Sequence, residues 1–305
     1  MHWKREKEDI RVRLTISTEQ FSPRRPLFQI SLVACLRSLG LLASLGIFSL
    51  IAGCGGAAHS LVIAGSTSVQ PVMEKIVEAF HKRNPGVRIT VEGGGSSAGV
   101  MATVTGAAQL GMVSRNLKLD SADESGLKRF PLAMDAIAII VHPHNPVSAL
   151  SIEQLRELFT GKLRSWKKVG GDNREVHLIV REEGSGTRGA FDEMVLKVGS
   201  EHKRPDPYSL VQDSSGGLRV VVSGDRDAIG FISMGAVDPS VKALAIEGVS
   251  PCFDAVKSGK YKLVRPFIII SKKDPKGLGR EILDFAVGSE ASQIMKQEGL
   301  VSVPR

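Results

Sequence analysis

Aromatic residues and cysteines are scarce in this chain, and both shortages exclude classes of function. Aromatics make up 5% of the sequence, too few for the stacking platforms that bind nucleic-acid bases. The three cysteines are Cys35, Cys54 and Cys252, and none lies at the Cys/His spacing of a metal site. Cys252 is the one farthest from the N-terminus, and we predict that it is a small buried residue. A Walker-type phosphate loop is also missing. We therefore expect no nucleic-acid partner, no metal, no cofactor and no nucleotide hydrolysis.

A large excess of positive charge is also missing once the first 53 residues are set aside. The formal net charge is +8, but residues 1–53 contain eight Lys/Arg against four Asp/Glu. The remaining residues, 32 basic and 28 acidic, have a net charge of +4. This mild bias is unlike a nucleic-acid surface and suits a protein that meets anions.

An uncharged apolar stretch over residues 38–53 is short for a membrane span and typical of a signal-peptide core. It ends in small residues directly before Cys54, which resembles a bacterial lipobox. The resemblance implies cleavage before Cys54, a lipid on its sulfur, and a location at the outer face of the cell membrane or in the periplasm. We predict a signal peptide over residues 1–53 and a tether over 54–59. An ordinary signal peptide and an uncleaved anchor are the alternatives.

Short apolar strands lead into Gly/Ser/Thr loops and then into helices at several places. The first unit is a strand at 61–64, a loop at 65–68 and an amphipathic helix from Val69 to Phe80. Similar units cover 87–104 and 176–196. Such alternation predicts parallel sheets with helices on both faces, and ligands bind beyond the carboxyl ends of such strands. Several helix N-termini at one place form a site for a small anion. For any single loop, capping by Ser or Thr is the alternative.

The chain divides best into two lobes. An apolar strand from Asp135 to Val141 ends at a His/Pro-rich segment, and Ser151 and Gln154 then have the spacing of a capping box. We predict one lobe at 144–231 and a second lobe formed by 60–143 and 232–305. Two crossovers would join them, an arrangement suited to closure around a ligand.

Seven segments carry a resemblance that runs from residue 61 to the C-terminus. In chain order they are AGSTSVQPV, GGGSSAGV, LGMVSR, DAIAIIVHPHNPV, REEGSGTRGAF, AIGFIS and SGKYKLVRPF. With them the chain resembles the phosphate-binding lipoproteins of bacterial phosphate ABC importers. The resemblance implies a two-lobed periplasmic-binding-protein-like α/β fold, each lobe a mainly parallel sheet flanked by helices. It also implies a monomer, without enzymatic activity, that binds inorganic phosphate and delivers it to the importer's permease subunits.

The resemblance also implies which residues bind phosphate. Most are hydroxyl-bearing residues of the Gly/Ser/Thr loops, and the Arg-x-x-Gly-Ser-Gly-Thr-Arg block is the most specific of the segments. The implied ligands are Ser66, Thr67, Ser68, Ser96, Ser114, Arg181, Ser185, Gly186 and Thr187.

One position departs from the family pattern. Some members have an aspartate where this chain has Arg115, and that carboxylate accepts the proton that monohydrogen phosphate has and sulfate lacks. Asp135 is the candidate replacement for that carboxylate, although it could instead be a turn residue at the end of a strand. Alternatively, Arg115 supplies charge to the ligand. For Arg181 we predict ligand binding through its guanidinium fork. For Arg188 we predict a surface salt bridge with Glu182, Glu183 or Asp192.

Other functions stay open at this point. Residues 95–99 fit the G-x-S-x-G motif of hydrolases, but the last histidine is His202, whereas the hydrolase triad needs one late in the chain. A binding protein for molybdate, tungstate or sulfate would share every argument about helix ends. A third possibility is a lipoprotein that uses the same fold for signalling or adhesion.

Overall fold

Alternating strands and helices make up the part of the chain that the computed structural model describes, residues 60–303. The predictions of a signal peptide, a lipidated Cys54 and a tether over 54–59 lie outside the described residues. The α-helices are α1 (Gln70–Arg83), α2 (Ser96–Thr105), α3 (Ala122–Ser125), α4 (Ile152–Phe159), α5 (Gly186–Phe191), α6 (Ser215–Gly224), α7 (Phe253–Lys257), α8 (Leu278–Ala286) and α9 (Ser289–Gln297). None of these helices is long and apolar enough to cross a membrane.

Fourteen strands are found within the same residues, together with a π-helix (Asp192–Leu196) directly after α5 and two short 3-10 helices. The strands are β1 (Ser60–Gly65), β2 (Arg88–Glu92), β3 (Leu110–Val113), β4 (Lys128–Val141), β5 (Ala149–Leu150), β6 (His177–Arg181), β7 (Lys197–Val198), β8 (Glu201–His202), β9 (Leu210–Gln212), β10 (Ala228–Ser233), β11 (Lys242–Ala243), β12 (Ala245–Ile246), β13 (Val264–Ser271) and β14 (Val301–Ser302).

Helix boundaries agree with the local sequence signals. Pro71 lies in the first turn of α1, where its missing N–H costs no hydrogen bond. Ser151 caps α4: its Oγ accepts from Gln154 N at 3.0 Å, and Gln154 Oε1 accepts from Ser151 N at 2.9 Å. The predicted capping box is therefore confirmed. Cys252, by contrast, is exposed in front of α7, so the prediction of a buried cysteine is wrong.

The strands join in the order β2-β1-β3-β13-β4-β10-β6-β9, with β11 and β14 also paired to β4. The pairs β1–β2, β1–β3, β6–β10 and β6–β9 are parallel, as predicted. In the centre, β4 and β13 run antiparallel to each other and to their other main-sheet partners. The prediction of mainly parallel sheets is thus wrong for the centre, where the sheet is mixed.

Strand β4 contributes to both halves of this sheet. Its residues 128–136 pair with β13, and its residues 137–141 pair with β10. The apolar core divides in a similar way. One cluster packs α1, α8 and α9 against β1, β3 and β13, and a larger one surrounds the end of β4 together with α4 and the π-helix. Burial of these apolar side chains is the main force that holds the strands in this order.

Candidate functional site

Three serine hydroxyls meet where β1 and β3 end and α2 begins. Ser66 follows β1 and Ser114 follows β3, because parallel strands bring their carboxyl ends to the same edge of a sheet. The Ser66 Oγ donates to the Ser114 Oγ at 2.8 Å, and the Ser96 Oγ lies 3.4 Å from the same atom. All three side chains are buried.

A second group of hydroxyls lies at the N-terminal ends of three helices. The Ser68 Oγ, just before α1, lies 2.9 Å from Thr187 Oγ1 in α5 and 3.0 Å from the Ser215 Oγ at the start of α6. These residues are far apart in sequence, and all three are buried. Burial of this many hydroxyls favours a polar ligand, since buried polar groups need hydrogen-bond partners.

Gly186 lies against the first cluster of hydroxyls, that of Ser66, Ser96 and Ser114. A Cβ at Gly186 would lie 2.1 Å from Ser96 Oγ and 2.5 Å from Ser114 Oγ, so a larger residue here would displace these hydroxyls. Ser185 caps α5, since its Oγ accepts from Arg188 N at 3.2 Å. The block that contains both residues thus lets the backbone approach the hydroxyls closely.

Arg181 carries its charge into the site from the end of β6. Its side chain is 1% exposed. Nη1 donates to Ser215 Oγ at 3.1 Å, and Nη2 donates to Thr67 Oγ1 at 3.2 Å. Glu182 is its carboxylate partner and accepts at two points, from Nε at 2.9 Å and from Nη2 at 3.0 Å. The guanidinium is therefore fixed beside the hydroxyls.

A second buried guanidinium, from Arg265 at the start of β13, reaches the hydroxyls from the other side. Its Nη1 donates to Thr187 Oγ1 at 2.6 Å and lies 3.3 Å from Ser114 Oγ. Its Nη2 lies 2.9 Å from Asp135 Oδ2 but is not aligned for a hydrogen bond with any residue of 60–303. A buried, charged donor is thus available to a ligand.

Asp135 in β4 supplies an acceptor. Its side chain is 0% exposed and accepts from Arg265 Nε at 3.0 Å, from Ser233 Oγ at 2.8 Å and from the backbone of Met234. Burial raises the pKa of Asp135 above its ordinary value, although Arg265 and Ser233 act in the opposite direction. Burial likewise lowers the pKa of Arg265, against the effect of the nearby carboxylate.

Arg115 has different partners. Its Nη1 and Nη2 donate to Glu124 Oε2 and Oε1 at 2.9 and 2.7 Å, and both side chains are buried. Because Glu124 also accepts from the backbone N of Lys118 at 2.8 Å, the pair fixes the loop that follows Ser114. Arg115 and Lys118 border a cavity of about 360 Å³ that Arg265 lines as well. The guanidinium fork itself is occupied by Glu124.

The remaining predictions divide as follows. Arg188 forms the expected salt bridge, with Nε 2.8 Å from both carboxylate oxygens of Asp192. The ligands that the resemblance implied did not include Arg265, Ser215 or Ser233. Ser215 belongs to a Ser/Gly loop of the same type as the others. For Arg265 the available signal was an arginine inside an apolar strand, a position where charge is costly unless it is paired.

One group of side chains among residues 60–303 has the spacing of a metal site: His177, Asp225 and Asp227. His177 Nδ1 lies 2.6 Å from Asp225 Oδ2. Arg174 donates to both oxygens of Asp227, at 2.6 and 2.5 Å. Because Arg174 occupies both oxygens, the group is an ion-pair cluster and we assign no metal to it.

The arrangement is therefore a set of neutral donors and two fixed positive charges around one buried acceptor. Hydroxyls and guanidiniums bind the oxygens of a tetrahedral anion, and guanidinium–oxyanion hydrogen bonds are among the strong ones. A buried carboxylate that accepts a hydrogen bond selects an anion that carries a proton.

Comparisons with known proteins agree with this chemistry. Residues 52–290 match a family model described as a PBP superfamily domain. The phosphate-binding protein PstS of Bacillus subtilis is 30% identical over 254 residues, which cover 81% of this chain and 82% of that protein. PstS of Borreliella burgdorferi is 25% identical over 250 residues, 79% of this chain and 89% of that one.

Two solved structures extend the likeness to the fold. A Clostridium perfringens protein, described as a phosphate ABC transporter substrate-binding protein with bound phosphate, is 39% identical with a TM-score of 0.76. The match covers 80% of this chain and 99% of that one. An ABC-type phosphate transport receptor from Vibrio cholerae is 34% identical with a TM-score of 0.65, covering 79% and 99%. This chain therefore belongs to the PBP superfamily and, within it, to the PstS family of phosphate-binding proteins, the substrate-binding components of ABC transporters, and it is not an enzyme.

Proposed function

We propose that this protein binds inorganic phosphate outside the cytoplasm and delivers it to the permease of an ABC importer. The observation that carries the proposal is the meeting of two buried guanidiniums, Arg181 and Arg265, with buried hydroxyls and the buried carboxylate of Asp135. The Clostridium perfringens relative, described with bound phosphate, supports the identity of the anion.

The proposed phosphate ligands come from both clusters of hydroxyl-bearing side chains. The proposed set is Ser66, Thr67, Ser68, Ser96, Ser114, Ser185, Gly186, Thr187, Ser215, Arg181, Arg265 and Asp135. Hydroxyls that bond one another in this structure would turn to the phosphate oxygens, and Nη2 of Arg265 would gain a partner. We leave Arg115 out of the set, because its guanidinium is bonded to Glu124 and, unlike that of Arg181, donates to none of the site hydroxyls. Its proposed role is to hold the loop after Ser114.

Selectivity for phosphate would rest on Asp135. Monohydrogen phosphate has a proton that sulfate lacks, and an ionised carboxylate accepts that proton but repels a fully deprotonated oxyanion. An unpaired polar group in a buried site costs about 1–3 kcal/mol. The replacement of the family aspartate by Arg115 is thus compensated by a carboxylate from β4.

Ligand binding would take place between two lobes, residues 60–143 with 232–305 and residues 144–231. Support comes from the pairing of β4, whose first part pairs with β13 and whose last part pairs with β10. At the candidate site, hydrogen bonds between the proposed lobes link Ser68 to Thr187 and to Ser215, Thr67 to Arg181, and Arg265 to Thr187. Opening of the lobes there would break these bonds, and phosphate would then enter or leave.

The membrane attachment is proposed from the sequence. Residues 1–53 would be a lipoprotein signal peptide, Cys54 would carry the lipid, and residues 54–59 would be the tether. Cys54→Ser is expected to release the protein from membranes. Retention of the variant in the membrane fraction would contradict the lipobox interpretation.

Calorimetric titration of residues 55–305, stripped of bound anion, tests the proposed function. We expect tight one-to-one binding of phosphate and no heat from sulfate or molybdate. A preference for sulfate, molybdate or tungstate would reassign the substrate and keep the site. If none of these anions gives a binding heat, in a protein that unfolds cooperatively, anion binding would be refuted.

A further inference from the structure

Exposed lysines cluster at the sheet edge opposite the candidate ligand site. The site residues Ser66 and Arg265 lie at the end of β1 and the start of β13. β13 runs in the reverse direction and ends at Ser271, which pairs with Lys128 at the start of β4. At about 3.3 Å per residue, Ser271 is roughly 20 Å from Arg265 along the strand. The two ends of these strands therefore present separate surfaces.

The lysine edge consists of Lys128, Lys272, Lys273 and Lys276. The last three line a cleft of about 470 Å³. Lys273 and Lys276 are exposed and form no salt bridge within residues 60–303. The acidic residue of the cleft, Asp274, lies 3.4 Å from Lys128. Four lysines against one aspartate leave a net charge of +3.

Strand β1 starts in the same cleft. Ser60, the first residue of β1, lines it together with the lysines. Cys54 precedes Ser60 by six positions, and six extended residues span at most about 20 Å. If Cys54 carries the proposed lipid, the lysine edge cannot be far from the headgroups of the bilayer.

We propose that the lysine edge binds the anionic headgroups of the membrane that holds the lipid anchor. The inference rests on the proposed lipid anchor at Cys54. Each lysine near an anionic membrane surface contributes about fivefold to partitioning. Because the anchor itself keeps the protein on the membrane, the role of the lysine edge is orientation. It turns the ligand site toward the medium from which phosphate arrives.

Vesicle sedimentation of residues 57–305, which form a compact unit by themselves, tests the lysine edge without the anchor. Vesicles contain either phosphatidylcholine alone or phosphatidylcholine with about one-third phosphatidylglycerol. Excess phosphate fills the ligand site, so that headgroup phosphates do not compete there. The wild type is expected to sediment with the anionic vesicles and not with the neutral ones.

Two matched double variants separate a specific surface from general attraction. Lys273→Gln with Lys276→Gln is expected to lower partitioning about 25-fold. Lys167→Gln with Lys168→Gln removes the same charge from another exposed pair and is expected to leave partitioning within about twofold. Equal losses in both variants, or wild-type binding that ignores phosphatidylglycerol, would overturn the proposal.

Phosphate titration of each variant shows whether it is folded and keeps the two proposals distinct. Neither pair of lysines belongs to the ligand set, so both variants should bind phosphate like the wild type. A protein that binds anionic vesicles through the lysine edge but binds no phosphate would refute the proposed function and leave this inference intact.

Discussion

The substitution Asp135→Asn tests the chemistry of the site most directly. It keeps the size of the side chain and replaces the buried carboxylate by an amide. In the structure Asp135 accepts three hydrogen bonds, from Arg265, Ser233 and the backbone of Met234. A carboxylate has about four acceptor positions. One position is thus left for the hydroxyl of monohydrogen phosphate.

The expected loss follows from that one bond. A hydrogen bond to a charged group contributes about 1.5–3 kcal/mol, which corresponds to a phosphate Kd about 10-fold to 150-fold weaker. Sulfate should gain relative to phosphate, because the amide can donate to an oxyanion and no longer repels it. The ratio of the sulfate Kd to the phosphate Kd should therefore fall, because phosphate binds more weakly and sulfate more tightly.

The assay is calorimetric titration with phosphate and with sulfate, at mildly alkaline pH. Asp238→Asn is the matched control, since Asp238 is a half-buried aspartate outside the site that accepts from Ser240 and pairs with Arg219 at 3.0 Å. Thermal unfolding must accompany the titrations, because removing one partner of a buried ion pair leaves Arg265 uncompensated. A cooperatively folded Asp135→Asn protein whose phosphate affinity changes less than about threefold would refute the assignment of Asp135 as acceptor.

Three further predictions use the same titration. Arg181→Ala should weaken phosphate binding by about 2–5 kcal/mol and Ser68→Ala by about 0.5–1.5, since the first removes a buried charge; equal small losses would move the site elsewhere. Gly186→Ala should abolish binding because its Cβ would lie 2.1 Å from a site hydroxyl, whereas Gly216→Ala, with nothing within 4 Å, should bind normally; normal binding by both would contradict the close approach. Burial raises the pKa of Asp135 above its ordinary 3.8, so the carboxyl becomes protonated, and stops accepting, as the pH falls through that raised pKa. Titration of phosphate itself affects the wild type and Asp135→Asn alike. The ratio of their phosphate Kd values should therefore approach one as the pH falls through the raised pKa of Asp135. A ratio that stays constant down to the ordinary pKa of aspartate would contradict this prediction.

Much of the local structure could be predicted because it depends on neighbouring residues. Apolar spacing fixed the face of α1, Pro71 marked its first turn, and the Ser151 and Gln154 pair marked the start of α4. The Gly/Ser/Thr loops could be placed at helix starts for the same reason. Strand direction in the centre of the sheet was not predictable, because β4 and β13 pair across 130 residues and no local pattern encodes such a pairing.

The candidate hydroxyl ligands could be named from short motifs, and the structure brings their side chains together. Arg265 was missed because a strand pattern gives no information on where a charged residue near its start will point. Likewise, the partner of Arg115 is Glu124, which reaches it only because α3 folds back over the loop after Ser114. A sequence cannot distinguish that internal pair from a ligand contact.

The sequence by itself determined the family, the strand and helix succession and the hydroxyl-rich loops, since these depend on composition, periodicity and short motifs. The tertiary structure decided which charges face the site. It joined Arg181 and Arg265 through the hydroxyls of separate helices, and placed Asp135 in a fully buried position against Arg265. Those contacts link residues far apart in the chain, and the depth of burial, which sets the strength of a charge interaction, exists only after the sheet has formed.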